Sequence, residues 1–98
     1  MRWHICTPMY DIVVKSRFKR DYDLMRRRGL PMAEIDAVIA ILAAGVPLPP
    51  QYRDHALTGD YAHCRECHIR PDWLLVYSID DAILQLILIR TGSHSDLF

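Results

Sequence analysis

Apolar residues spaced at i, i+3, i+4 and i+7 give the strongest pattern in the chain: Ile35, Val38, Ile39 and Leu42. That spacing predicts a helix opening near Pro31, with Glu34 and Asp36 at its positive end and Gly45 and Pro47 closing it. A narrower stripe of Phe18, Tyr22 and Met25 among charged residues predicts an earlier helix from Arg17 to Arg28, with Ser16 as its N-cap and Gly29 as its stop. So short a link between them predicts a helical hairpin. Ahead of both, the β-branched run Ile12, Val13 and Val14 predicts a strand over Tyr10 to Lys15.

The proline-rich stretch Pro47 to Gly59 reads as an ordered loop without regular structure. After Asp60 the period shortens towards two. Strands are predicted over Tyr61 to Ile69, Trp73 to Ile79 and Ile83 to Arg90, broken at Pro71-Asp72 and Asp80-Asp81. In the last of them Leu84, Leu86 and Leu88 alternate with Ile87 and Ile89, so both faces are apolar and the strand should lie centrally. The expected architecture is α+β, an N-terminal strand and a helical hairpin packed on a small antiparallel sheet.

Composition adds limits. The 98 residues, 51% hydrophobic, suit one domain over 1–98 with a real core. The apolar runs are well below the roughly 20 residues that a membrane helix needs, and the start of the chain does not read as an export signal. A cytoplasmic protein without membrane contact is expected. Three cysteines, Cys6, Cys64 and Cys67, form no disulfide framework, so reduced thiols are expected. Net charge is zero, yet residues 1–53 carry nine Lys/Arg against five Asp/Glu. Arg17, Lys19, Arg20, Arg26, Arg27 and Arg28 therefore suit either phosphate contact or a solvated helix face.

The candidate chemistry gathers in the second half. His55, His63, His68 and His94 lie there with Asp72 and Arg90. Histidine exchanges protons near neutral pH. RNA phosphodiester cleavage can proceed without a metal when a protein supplies a base for the 2′-hydroxyl, an acid for the leaving oxygen and a cation for the charge on phosphorus.

Pro47-Leu-Pro, Tyr52-Arg-Asp-His55, Leu57-Thr-Gly59, Arg65-Glu-Cys-His68, Pro71-Asp-Trp73, Arg90-Thr-Gly and the run from His94 to Leu97-Phe98 occur in that order. From about Tyr10 onward, this ordered set resembles the YafQ-type toxins of the RelE/ParE superfamily. The resemblance implies a RelE-like fold and a type II toxin: an endoribonuclease, or mRNA interferase, that cuts mRNA in the ribosomal A site. It also implies a toxin–antitoxin hetero-oligomer with a RelB/DinJ-like antitoxin, and no cofactor or metal. Carried over by position, His55, His68, Asp72, Arg90 and His94 match the catalytic set, with His94 as proton donor and Arg90 as the transition-state cation. Trp73, Phe98 and Arg65 match substrate contacts. Residues 1–8 would precede the usual family start.

Plainer roles stand beside these. Trp73 opens an apolar strand and suits core packing, Asp72 suits a turn cap, and His55 suits a loop contact. Phe98 suits a tail anchor, and Arg90 suits an ion pair with Asp96 or Asp72. Two other functions compete: a non-cleaving binding toxin of the same superfamily, gyrase-directed or inactive, and a metal or haem protein built on Cys64-Arg-Glu-Cys-His68. In a strand, residues 64 and 67 point to opposite faces, which argues against the last.

Overall fold

The computed structural model describes Trp3 and residues 8–98; Cys6 and most of the 1–8 segment lie outside the described residues. Ile12, Val13 and Val14 form β1 (Asp11–Val14), as their branched side chains favour. The Lys15 N–H still bonds to the Leu88 carbonyl, at 3.1 Å, which holds Lys15 extended. The first helix, α1 (Ser16–Arg27), therefore takes Lys15 as its N-cap, and Ser16 is its first residue instead of the expected cap. Phe18 and Met25 are buried as their spacing predicts. Gly29, at φ +83°, ends the helix in a left-handed turn closed by a bond from Leu30 N to Met25 O.

The second helix, α2 (Met32–Ala43), buries Ile35, Val38, Ile39 and Leu42. It meets α1 through the Tyr22 hydroxyl, which donates to Asp36 Oδ1 at 2.8 Å. Burial and that carboxylate push the Tyr22 phenol up to about 12. No helix among the described residues is long and apolar enough to cross a membrane.

The proline-rich segment, expected as an ordered loop, has more regular structure than that. It contains a 3-10 turn at Pro50–Tyr52 and a short strand, β2 (His55–Ala56). A second 3-10 turn, Gly59–Tyr61, takes the place of the predicted start of the next strand, so β3 is only Arg65–Arg70. It turns directly into β4 (Trp73–Asp80). The Asp80 carboxylate then accepts the N–H groups of Ala82 and Ile83, a capture that lengthens the expected two-residue turn. Ile83 and Leu84 consequently lie exposed in the turn, and β5 (Gln85–Gly92) starts later than predicted.

The sheet order is β1-β5-β4-β3-β2. It is mixed, because β1 pairs parallel with β5, from Asp11 opposite Gln85 to Val14 opposite Leu88; the other pairs are antiparallel. The expectation of a wholly antiparallel sheet rested on short connections, which report only sequential neighbours, whereas β1 finds its partner at the far end of the chain. The prediction that β5 lies inside the sheet holds.

Alternation divides the sheet into two faces. Cys67, Ile69, Trp73, Leu75, Tyr77, Leu86 and Leu88 pack with Phe18, Met25 and the apolar stripe of α2 in the main core. Each Leu, Ile, Val, Phe or Met among them is worth about 1.5–3 kcal/mol when fully buried. On the other face Leu74 and Val76 pack with Leu97 of the short helix α3 (His94–Leu97), and with Leu57, Tyr61, Cys64 and Ile89. Gly92 permits the sharp return into α3, since a Cβ there would meet the Asp96 side chain at 2.9 Å.

Candidate active site

The face of the sheet turned away from α1 and α2 carries the histidines. On β3, alternation sends Cys67 and Ile69 into the main core and leaves Glu66 and His68 on the opposite side. His55 on β2 sits directly across from Glu66. Its Nδ1 lies 2.7 Å from the Arg53 carbonyl and its Nε2 lies 2.9 Å from Glu66 Oε2. A carbonyl only accepts, so Nδ1 carries the hydrogen of that contact. The other Glu66 oxygen, Oε1, is buried without a partner among the described residues.

His68 is held differently. Its Nδ1 donates to the Pro71 carbonyl at 3.3 Å, which leaves the Nε2 lone pair available. The turn after β3 brings Asp72 to the start of α3. There Asp72 Oδ1 accepts both the backbone N–H of His94, at 3.0 Å, and its ring Nδ1, at 2.8 Å. The backbone N–H first, and the imidazole after it, hold the Asp72 carboxyl below the usual carboxylate range. The three rings form a row, with centroids 6.0 Å apart for His55 and His68 and 5.9 Å apart for His68 and His94. A cleft of about 280 Å³ lined by Tyr52, Arg53, His68 and Pro71 opens beside it.

A capping box holds α3 in place: the Ser93 hydroxyl accepts from Asp96 N, and the Asp96 carboxylate accepts from Ser93 N at 2.8 Å. Arg28, just past α1, grips the same carboxylate at 2.8 and 3.1 Å and holds it well below its usual range.

Arg90 shares the histidine face. It pairs across the sheet with Val76, and Val76 pairs with Glu66, so Arg90 lies two strands, or about 10 Å, from Glu66 on one rung. Its ion-pair partner is Asp21 of α1, at 2.6 and 3.2 Å, and neither Asp96 nor Asp72. Phe98, 63% exposed, packs edge-to-face on Tyr61 with centroids 5.8 Å apart.

Two expected substrate contacts do not join the row. Trp73 is 2% exposed in the main core, and its indole N–H donates to Thr91 Oγ1 at 3.0 Å. Arg65 lies opposite Tyr77 on the helix-side face and pairs with Asp54 at 3.2 Å. Alternation explains both, since each is an odd number of strand positions away from the residues facing the histidines. The same rule separates the cysteines of the Cys-x-x-Cys-His run. Cys67 is fully buried in the main core, where desolvation pushes its thiol far up, while Cys64 packs on the other side; both are free thiols. The haem reading therefore fails on geometry. In the basic stretch, Arg26 and Arg27 pair with Asp23, and Arg28 with Asp96. Glu66 and Asp21 were missed in the sequence. The signal for Glu66 was its two-residue offset from His68; nothing local marks Asp21.

One donor set also suits a metal ion. Ligand atoms of His55, Glu66 and His68 lie within 4.8 Å of one another.

The E. coli (strain K12) protein named mRNA interferase toxin YafQ is 34% identical over 89 residues, covering 90% of this chain and 95% of that protein. The crystal structure of the E. coli DinJ–YafQ complex superimposes with a TM-score of 0.84 at 33% identity, covering 91% of this chain and 98% of that one. A metal-bound toxin from Helicobacter pylori superimposes with a TM-score of 0.86 at 40% identity, covering 92% of this chain and all of that one. The α+β, RelE-like arrangement is the fold of these toxins. Residues 10–98 match the family described as bacterial toxin of type II toxin–antitoxin system, YafQ, and the chain belongs to that family.

Proposed function

We propose that this chain is an mRNA interferase that cuts translated mRNA on the ribosome by acid–base catalysis and is neutralised by a DinJ-like antitoxin in a hetero-oligomer. The observation that carries the reading is the unequal hydrogen bonding of the three imidazoles in one row. His55 has both ring nitrogens engaged. His68 keeps an open Nε2 opposite a donating Nδ1, the tautomer a general base needs. His94 has its Nδ1 fixed on the Asp72 carboxylate, which holds the ring in one orientation, as a proton donor requires.

In the proposed step His68 takes the proton of the ribose 2′-hydroxyl as that oxygen attacks the adjacent phosphorus. The bond to the 5′-oxygen breaks, and His94 gives that oxygen a proton. A 2′,3′-cyclic phosphate and a 5′-hydroxyl result, with Arg90 opposing the charge on the phosphoryl oxygens. Phe98, exposed beside Tyr61, offers a ring on which a base can stack.

The test is cleavage of a translated mRNA by wild type, His68→Ala, His94→Ala and Asp72→Ala. Loss of acid or base should slow cutting by about 10²–10⁴-fold. Equal cutting by all four, or none by a folded and toxic wild type, would overturn the reading.

A second reading rests on His55, Glu66 and His68 as metal ligands. Two imidazoles and one carboxylate, whose Oε1 is buried without a partner among the described residues, fit a divalent transition metal. Such an ion would act as a Lewis acid. Ligation would also occupy the His68 lone pair that proton abstraction requires, so the two readings make opposite predictions: added Cu²⁺ or Zn²⁺ inhibits cutting under the first and supports it under the second.

A further inference from the structure

Among the described residues, Asp21 is the one carboxylate joined to the proposed transition-state arginine, and it lies on a helix that carries no other member of the site. Its Oδ2 accepts Arg90 Nε at 2.6 Å and its Oδ1 accepts Nη2 at 3.2 Å. Oδ2 also takes the backbone N–H of Thr91, at 3.2 Å, so a single carboxylate fixes both the guanidinium and the strand that bears it. The pair is largely enclosed, with side-chain exposures of 11% for Arg90 and 15% for Asp21.

The atoms used matter. A guanidinium has five N–H groups in one plane, and Asp21 takes one from Nε and one from Nη2. Nη1, with two more, hydrogen-bonds to no described residue, and the outer edge formed by Nη1 and Nη2 is the one with the spacing of two phosphate oxygens. The Tyr61 hydroxyl adds to the stabilisation of the charged form. Gripping the Nε edge therefore fixes the plane and direction of the outer edge.

We propose that Asp21 is a positioning residue for cleavage: it holds the guanidinium of Arg90 side-on so that its outer edge meets the scissile phosphate. This rests on the nuclease reading and adds to it a residue of α1 that acts only through Arg90. A catalytic group displaced by about 1 Å can lose 10²-fold in rate, so Asp21→Asn should lower the rate by up to about that factor.

The experiment is single-turnover cleavage of mRNA on programmed ribosomes by wild type, Asp21→Asn, Arg90→Ala and the double variant, with thermal melts of each. The expected result is a saturated rate lowered on the order of 10- to 100-fold in Asp21→Asn. The ribosome concentration at half-saturation should be unchanged, and the double variant should be no slower than Arg90→Ala alone. A wild-type rate in Asp21→Asn, a loss confined to binding, or losses that multiply in the double variant would overturn the role. Should Asp21→Asn not fold, Asp21→Glu carries the same cycle, because it keeps the ion pair but moves its partner by a methylene; a full rate there is equally fatal. If wild type does not cut, or Arg90→Ala costs nothing, the nuclease reading itself has failed. An unimpaired Asp21 variant beside an impaired Arg90→Ala refutes the positioning role alone.

Discussion

Replacing Asp96 by alanine tests how the chain holds its proposed proton donor. The carboxylate closes the capping box with Ser93 and receives both Nη groups of Arg28, so one truncation unties α3 from β5 and from the end of α1. Loss of a helix cap costs about 1 kcal/mol. The Arg28 pair is solvent-screened and adds little to this. The cap alone, about 1 kcal/mol, corresponds to a fall in Tm of roughly 4–8 °C for a chain of this size. The pH dependence has a definite sign. Asp96 is held below its usual range in the folded state, so its contribution is fully present above the unfolded value of about 3.9 and is lost as pH falls towards the folded one. Melts followed by circular dichroism from neutral pH downward should show the wild type ahead of Asp96→Ala at neutral pH, with the gap narrowing below about pH 4. Equal melting temperatures at neutral pH, or a gap that does not shrink in acid, would refute the reasoning. Cleavage should fall as well, since α3 carries His94.

Three further outcomes follow from the geometry. Phe18→Ala, which empties a fully buried site between α1 and the sheet, should cost about 3–5 kcal/mol in chemical denaturation, with a much smaller loss counting against the described core. A disulfide reagent at neutral pH, read by peptide mass, should label Cys64 well before Cys67, whose thiol is enclosed and shifted upward; equal rates would contradict its burial. Asp72→Asn keeps the shape of the turn but removes the charge beside His94, so cutting should slow by on the order of 10²-fold with little change in Tm; a large loss of Tm with an unchanged rate would make Asp72 a turn cap only.

Much of this was legible from spacing. The apolar stripe of α2, the stop at Gly29 and the interior place of β5 all follow from local pattern, and the structure agrees. Three things were not. The parallel pairing of β1 with β5 joins residues whose sequences carry no mark of each other. Backbone capture by side chains, as at Asp80, moves strand ends by several residues without altering the hydrophobic pattern. Ion-pair choice is set by tertiary approach: Arg90 could be seen to need a carboxylate, but only the docking of α1 selects Asp21 over Asp72 and Asp96. In the site itself, the ordered motifs pointed to the histidines that form the row, whereas strict two-residue alternation, applied further, would have moved Arg65 and Trp73 to the other face and brought in Glu66.

The pairing of β1 with β5 also bears on timing. Asp11 finds its place beside Gln85, so β1, made before the other described strands, must wait for β5 to find its partner. Contacts so distant along the chain slow folding. Until β5 emerges, α1 lacks the strand it packs against and Arg90 has not been made. A destructive activity directed at messages would thus stay latent through most of its own synthesis.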